Sequence, residues 1–278
     1  MNAPAAVLAL VLAMTAVGSS WLLWLGPTYG NLRAGYELLT GSTIVVLAWA
    51  AWASLGGPLL ALEGTASADD GGLARTLLLA MTLLTLAAVI VRALPVTALA
   101  ARVLGVAASL AGTAAFLPLA AIRSARGGAG GVPQGVVELL LGSALLGAVW
   151  VGMILGHWYL VERRLSNRYM VFIAWANVAA VVAGVASVLL SARSPVPCAG
   201  LTGAEFETCV RTFSPILNIG SMTIVLGLGV LALVALIAGF NVRLAREGGR
   251  SIQASTGMFY LAVILAPAAE FAAKVRFF

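Results

Sequence analysis

Long apolar runs recur along this chain, and short polar or glycine-rich segments separate them. A helix that crosses a lipid bilayer needs about 20 mainly apolar residues, and these runs approach or exceed that length. The predicted spans are residues 4–25, 39–61, 74–92, 100–122, 134–160, 168–192, 214–240 and 253–275. The pattern therefore predicts an all-α fold, a polytopic transmembrane helical bundle of about eight spans.

Two segments complicate the count of spans. The first apolar run, from Ala3 to Trp24, has no Lys or Arg before it. A cleaved signal peptide carries a basic segment at that place, so we expect a retained first helix. Between the third and fourth runs, only the stretch from Arg92 to Arg102 separates the apolar cores. That stretch fits a short interfacial helix whose two arginines reach the lipid headgroups.

Composition identifies the solvent of this protein. Hydrophobic residues make up 62% of the 278 residues and charged residues only 9%, with a mean hydropathy of +1.05. A soluble domain carries roughly 25% charged residues, so a lipid bilayer is the predicted surrounding. The 16 basic residues are spread over short loops, as the positive-inside rule and contact with anionic lipid predict. No basic patch with interleaved aromatic residues is found, which argues against nucleic-acid binding.

Basic residues and cysteines together predict the orientation. Nine basic residues fall in loops after odd-numbered spans and seven on the other side, which is a thin margin. Cys198 and Cys209 lie in one loop, between spans six and seven, and a disulfide there would require an oxidising compartment. Two free thiols are the alternative. These signals place that loop and both termini outside the cytoplasm, in a bacterial-type plasma membrane.

A glycine-rich linker, residues 127–135, lies near the midpoint of the chain. It divides a single integral membrane domain, residues 1–278, into spans one to four (1–126) and spans five to eight (136–278), which suits two four-helix halves. Span five carries small residues at intervals of four, which let helix backbones approach closely. It is therefore predicted to lie at the centre of the bundle. These residues are Ala144, Ala148, Gly152 and Gly156.

The only histidine lies in an aromatic segment at the end of span five. With one histidine, and with both cysteines predicted outside, no standard metal site can be assembled. One hypothesis is a pocket at the cytoplasmic boundary, where a histidine and a tyrosine hydrogen-bond the carbonyls of a quinone. Alternatives are an aromatic belt at the interface and a docking surface for a soluble partner. The residues concerned are His157, Trp158, Tyr159 and Tyr169.

Two carboxylates, Glu138 and Glu270, fall inside apolar spans, near the predicted extracellular side. Ionisable groups in a membrane are costly and suggest a functional role, here in a proton or ion pathway. The alternatives are structural. Glu270 lies four residues before Lys274 and can pair with it on one helix face, and Glu138 is close enough to the interface to reach water. Asn177, in the middle of span six, is predicted to form an interhelical hydrogen bond.

The last span also carries a longer pattern. It reads Ser255 to Tyr260, then an apolar stretch, then Glu270, Lys274, Arg276, Phe277 and Phe278. A glutamate followed by basic residues and aromatics resembles the late helices of eight-span membrane anchors of the NrfD-like and dimethyl-sulfoxide-reductase type. The resemblance implies a haem-free subunit that exchanges electrons between membrane quinone and a bound iron–sulfur partner. His157 matches no position of that family.

Three functions remain open. The first is a membrane subunit of a redox or respiratory complex, non-catalytic alone, bound to other membrane subunits and interacting with quinone. The second is a stand-alone proton- or ion-coupled transporter or channel that uses Glu138 or Glu270. The third is a structural or assembly protein. Prolines interrupt the spans only near their ends, unlike the broken helices of many transporters, which favours the first. No Walker motif or other catalytic signature is found, so no catalytic residue is assigned.

Overall fold

A computed structural model describes residues 4–60, 62–94, 98–162, 164–196, 198–213 and 219–277. Every regular element in these ranges is a helix. In the first half they are α1 (Pro4–Ser20) with a π-helical turn (Trp21–Leu25), α2 (Ala34–Leu60), α3 (Ala68–Ala93), α4 (Ala98–Ala114) and α5 (Phe116–Ala125). In the second half they are α6 (Gly131–Val161), α7 (Arg168–Ser191), α8 (Gly203–Phe213), α9 (Gly220–Glu247) and α10 (Ser251–Lys274).

Within the described ranges, 8 helical segments are long and apolar enough to cross a membrane. They are α1 with its π turn, α2, α3, α4 together with α5, α6, α7, α9 and α10. The prediction of an all-α, multi-pass membrane bundle is confirmed.

The predicted end of the seventh span was wrong. The seventh crossing runs on to Glu247 rather than ending at residue 240. Its last turn is charged, and Arg243 pairs with Glu247 four residues later, with Nε and Oε1 3.0 Å apart. Such a pair supports continued helix at the interface, which an apolar window cannot detect. The predicted start of this span, residues 214–218, lies outside the described residues.

The connections also differ from expectation. Helix α3 continues through Arg92, and Arg102 already lies inside α4, so the described residues leave no separate interfacial helix between them. Helix α6 begins at Gly131 and includes Pro133. The proline is tolerated because it lies in the first turn of the helix. The glycine-rich linker is therefore shorter than residues 127–135.

The spanning helices form two rings of four. In the first ring, α1, α2, α3 and the α4–α5 pair contact one another in order, and α4 returns to α1. In the second, α6, α7, α9 and α10 do the same, and α10 returns to α6. The rings join where α1 and α5 pack on α6. A Cβ on Gly18 would lie 1.8 Å from the carbonyl oxygen of Ser143, so glycine is required at that crossing.

We name the two surfaces at the helix ends after the disulfide and after the histidine that they carry. The disulfide face holds the loop between α2 and α3, the loop between α5 and α6, the segment between α7 and α9, and the end of α10. Helix α8 lies in that segment, and Cys198 forms a disulfide with Cys209, which confirms the predicted bond. The histidine face holds the other four loops and the end of α6, which carries His157.

Candidate functional site

Four charged side chains meet inside the protein near the disulfide face. Arg123 comes from α5, Glu138 from α6, and Glu270 and Lys274 from the last two turns of α10. All four side chains are 0% exposed. Glu138 lies seven residues into α6, or about 10 Å along the helix axis. We call these residues the ion quartet.

Lys274 lies between the two carboxylates. Its Nζ atom is 3.1 Å from Oε1 of Glu138 and 3.0 Å from Oε2 of Glu270. On the other side of Glu138, Nη2 of Arg123 is 3.4 Å from Oε2. The quartet therefore balances two positive and two negative charges. Removing one member of a buried ion cluster leaves an uncompensated charge and is strongly destabilising.

Two serines of α7 form hydrogen bonds with the quartet. Nζ of Lys274 donates to Oγ of Ser187 over 2.9 Å and to Oγ of Ser191 over 3.2 Å. Ser191 in turn donates to Oε1 of Glu138. Oγ of Ser187 is 3.1 Å from Oε2 of Glu270 and 3.2 Å from the carbonyl oxygen of Glu138. Each serine thus links the ammonium group to a carboxylate, and α7 is tied to α6 and α10.

Segments on the disulfide face cover the quartet. Arg123 donates from Nη1 to the carbonyl oxygen of Ala129 over 2.8 Å and from Nη2 to Oγ of Ser194 over 2.7 Å. Its guanidinium carbon lies 5.4 Å from the centre of the Phe277 ring. Arg276, the residue before Phe277, donates to the carbonyl oxygen of Ala192 over 2.8 Å, and burial lowers the pKa of Arg276. The loop before α6, the end of α7 and the residues after α10 therefore seal this end.

Glu138 does not reach water, so that prediction was wrong. The loop between α5 and α6 and the residues after α10 lie over Glu138. The position of Glu138 in the sequence does not predict that these segments cover it. The predicted pairing of Glu270 with Lys274 is present, but Lys274 also serves Glu138.

Two carboxylate oxygens in the quartet have no hydrogen bond among the described residues: Oε2 of Glu138, which has Nη2 of Arg123 3.4 Å away, and Oε1 of Glu270. Oε1 of Glu270 is buried and has no donor among the described residues. Space beside this carboxylate depends on Gly142, where a Cβ would lie 2.8 Å from Oε2 of Glu270. A proton can bind to an oxygen such as Oε1 of Glu270 without first displacing a hydrogen-bond donor.

Asn177 lies at the centre of the buried face of α7 and is 0% exposed. Neither its amide nitrogen nor its amide oxygen has a hydrogen-bond partner in the described part of the chain. The predicted interhelical hydrogen bond is therefore wrong. Its neighbours on that face of the helix, including Ile173 and Val181, are apolar and offer none.

The four residues of the predicted quinone pocket have different neighbours. Nδ1 of His157 lies 3.2 Å from the hydroxyl of Tyr260 on α10, at an exposed position. Trp158 packs on Tyr36 with ring centres 6.3 Å apart. The remaining two do not join them: Tyr159 donates its hydroxyl to the carbonyl oxygen of Ser166, and Tyr169 lies beneath the guanidinium of Arg168.

A pocket of about 640 Å³ opens on the histidine face, between the end of α6, the loop before α7 and the loop before α10. Of the four predicted residues, only Tyr159 lines it. Its polar lining includes Asn167, Glu247, Arg250 and Gln253. The described residues contain no group of three or more His, Cys, Asp or Glu side chains that could hold a metal ion.

A second buried ion pair lies in the first ring, at the histidine face. Glu37 pairs with Arg92, and its Oε1 accepts a hydrogen bond from the backbone N–H of Gly30 over 2.7 Å. The side chain of Glu37 is 0% exposed and that of Arg92 is 20% exposed. The apolar pattern does not predict this pair, because Glu37 lies two residues before the predicted second span and Arg92 is the last residue of the predicted third span.

Among known proteins, no family model, no curated protein and no solved structure matches this chain. The resemblance of the last span to NrfD-like anchors therefore stays a prediction that rests on the residues of that span.

Proposed function

We propose that this chain is a proton-coupled membrane transport protein in which the ion quartet takes up and releases the proton. One observation carries the proposal. Two fully buried carboxylates, Glu138 and Glu270, share a single ammonium group, and one oxygen of Glu270 has no donor among the described residues. Ionisable groups placed inside a membrane are costly and mark proton and ion pathways.

Protonation of Glu270 would change the hydrogen bonds that hold α10. The neutral acid becomes a donor as well as an acceptor, so Lys274 loses one of its two anionic partners. Ser187 can then turn its hydroxyl to the carbonyl oxygen of Glu138, which lies within 3.2 Å. Pro267 lies three residues before Glu270 inside α10 and cannot make an intrahelical N–H bond. The last turns of α10 can tilt at this point when their bonds to α6 and α7 weaken.

Charge asymmetry supports an orientation for this transport. By sequence position, the loops and helix ends of the histidine face carry nine arginines and three glutamates, whereas the disulfide face carries seven basic and seven acidic residues. Basic residues favour the cytoplasmic side, and a disulfide favours an oxidising compartment. The proposal therefore places the histidine face in the cytoplasm and the disulfide face outside, in a bacterial-type plasma membrane.

Labelling in intact cells tests this orientation. The exposed positions Ala66 and Arg250 lie on the disulfide face and the histidine face, respectively. We expect a membrane-impermeant maleimide to label Ala66→Cys and to label Arg250→Cys only after the cells are permeabilised. The reverse pattern would overturn the orientation.

A pH jump applied to reconstituted protein tests the function itself. Proteoliposomes adsorbed on a solid-supported membrane report charge movement when protons bind, and no transported substrate is needed. We expect a pH-dependent current in the wild-type protein that is lost in Glu270→Gln. Glu37→Gln, which alters a buried carboxylate outside the quartet, should keep it. A wild-type signal equal to that of empty liposomes, or one unchanged in Glu270→Gln, would contradict the proposal.

A second candidate is the haem-free subunit of a redox complex that the resemblance implies. The observation that favours it is the pocket on the histidine face, because its volume suits a small ring and Tyr159 lines it. Purification in mild detergent, with mass spectrometry and a visible spectrum of the eluted peak, tests this candidate. Co-eluting iron–sulfur subunits and bound quinone would support it. A colourless single chain would count against it.

A further inference from the structure

Two buried amide side chains of the second ring have amide atoms without a hydrogen-bond partner among the described residues. Asn177 on α7 is 0% exposed and has none for either amide atom among the described residues. Asn241 on α9 is also 0% exposed. Its oxygen accepts a hydrogen bond from Ser255 over 2.9 Å, but its amide nitrogen has no acceptor among those residues. The two residues face the interior from different helices.

The two amides lie at different depths along their helices. Asn177 follows the start of α7 by nine residues, about 14 Å along the axis, so it lies near the middle of the membrane. Ser255, with Asn241, lies close to the histidine face, two residues after Gln253, which lines the pocket there with Ile252. From Asn177 to Ser187 is about 15 Å along α7, and the buried residues between them are apolar or glycine.

An unsatisfied amide is expensive at that depth. A buried donor or acceptor without a partner costs about 1–3 kcal/mol, and no lipid group in the hydrocarbon region can replace the bond. In folded proteins such groups are commonly satisfied by ordered water with two to four polar partners. The amide oxygen and nitrogen of Asn177, and the amide nitrogen of Asn241, supply partners of this kind.

We propose that Asn177 and Asn241 bind water that enters from the pocket on the histidine face, forming a hydrated half-channel that ends near the membrane centre. The apolar stretch of α7 around Val181 and Gly184 separates this half-channel from the ion quartet. Leu145 packs against Gly184, where a Cβ would lie 2.6 Å from its Cδ2, so this stretch is closed in the present structure. The claim that protons use the half-channel rests on the proposed function. The claim that the half-channel is hydrated does not.

Cysteine accessibility tests the half-channel. The two native cysteines form a disulfide, so a new cysteine is the only free thiol. The variant is Asn177→Cys, and the controls are Trp175→Cys and Val182→Cys, which bracket it in depth and face lipid with 47% and 68% exposure. A thiol reacts as the thiolate, and each unit by which an apolar setting raises its pKa lowers the thiolate fraction about tenfold.

The expected result is that a small charged methanethiosulfonate, applied from the histidine face, modifies Asn177→Cys at least about tenfold faster than either control. Equal rates in the three variants, or reaction only from the disulfide face, would overturn the half-channel. Asn177→Leu gives a second measurement that needs no label. A dry site predicts a higher Tm when the unpaired amide is removed, and a hydrated site predicts no gain.

The outcomes separate the two proposals. Fast modification of Asn177→Cys without a pH-jump current would leave a hydrated site but remove the proton function. A pH-jump current without that modification would keep the quartet and overturn the half-channel.

Discussion

The ion quartet and the pair of Glu37 with Arg92 differ in how their charges are compensated. Glu37, in the first ring, accepts from the backbone of the loop before α2 and pairs with Arg92, whose side chain remains 20% exposed. In the ion quartet, which joins Arg123 of the first ring to three residues of the second ring, every charged side chain is 0% exposed. Both clusters lie within a few turns of a membrane face, so depth alone does not explain the difference.

The difference indicates two roles. Glu37 fixes a loop, and water near Arg92 can replace part of what a mutation removes. The quartet has no such replacement, because the disulfide-face segments cover it. We expect the quartet, in which serines, a lysine and an arginine all serve two carboxylates, to respond more strongly to one added proton than a pair with one exposed member.

The largest expected effect is that of Lys274→Met. The substitution leaves Glu138 and Glu270 buried with only Arg123 to balance them, and breaking a buried ion cluster costs about 3–5 kcal/mol. Arg92→Met is the matched control and should cost less, about 1–3 kcal/mol, because Glu37 keeps its hydrogen bond from Gly30. Unfolding of both variants in mixed micelles, followed by tryptophan fluorescence, measures the difference.

A double variant sharpens this prediction. Glu270→Gln combined with Lys274→Met removes one charge of each sign and should be less destabilised than Lys274→Met alone. A double variant that loses the sum of the two single effects would show that Glu270 and Lys274 do not interact energetically.

Removing the disulfide should have the next largest effect. Cys209 packs with Val7, Val275 and Phe271 beside the end of α10, so the disulfide holds part of the cover of the quartet. Closing so short a loop contributes up to about 3 kcal/mol. Hydrogen exchange of a Cys198→Ser, Cys209→Ser variant should increase in α8 and after α10, and stay unchanged in the loop before α2. Faster exchange in that loop as well would contradict a local role.

The smallest expected effect is that of Tyr29→Phe, near Glu37. Its hydroxyl donates to the carbonyl oxygen of Ala98 over 2.6 Å, and loss of one such bond costs about 1 kcal/mol. Burial, and then the charge of Glu37, raise the pKa of Tyr29. The neutral phenol therefore adds stability below its unfolded pKa of about 10, and this is lost as pH rises through the higher folded value. Stability measured at neutral and alkaline pH should show the wild-type advantage only at neutral pH.

Local sequence features predicted the spans, the disulfide and the pairing of Glu270 with Lys274, because each depends on residues close together in the chain. The rest of the quartet depends on packing between distant segments. Arg123 meets Glu138 only because the short loop before α6 turns the chain back on itself, and the serines of α7 meet Lys274 only after the second ring closes. Arg123, directly after the predicted fourth span, and the two serines of α7, one turn apart, are evident in the sequence. No local pattern predicts that they contact Glu138 and Lys274.

The aromatic segment shows the opposite error. Neighbours along a helix point in different directions, so His157, Trp158 and Tyr159 contact three separate elements although they are consecutive in the chain. Adjacency in sequence suggested a common pocket that the helix geometry does not form.

The proposed function depends on proton uptake by Glu270 in the quartet. Infrared difference spectra of the reconstituted protein, recorded as the pH is lowered, test it most directly, because a buried protonated carboxylic acid has its own carbonyl stretching band. We expect a band that appears on acidification, shifts in deuterated water, disappears in Glu270→Gln and persists in Glu37→Gln. A band that survives in Glu270→Gln, or no band at any pH at which the protein stays folded, would contradict it.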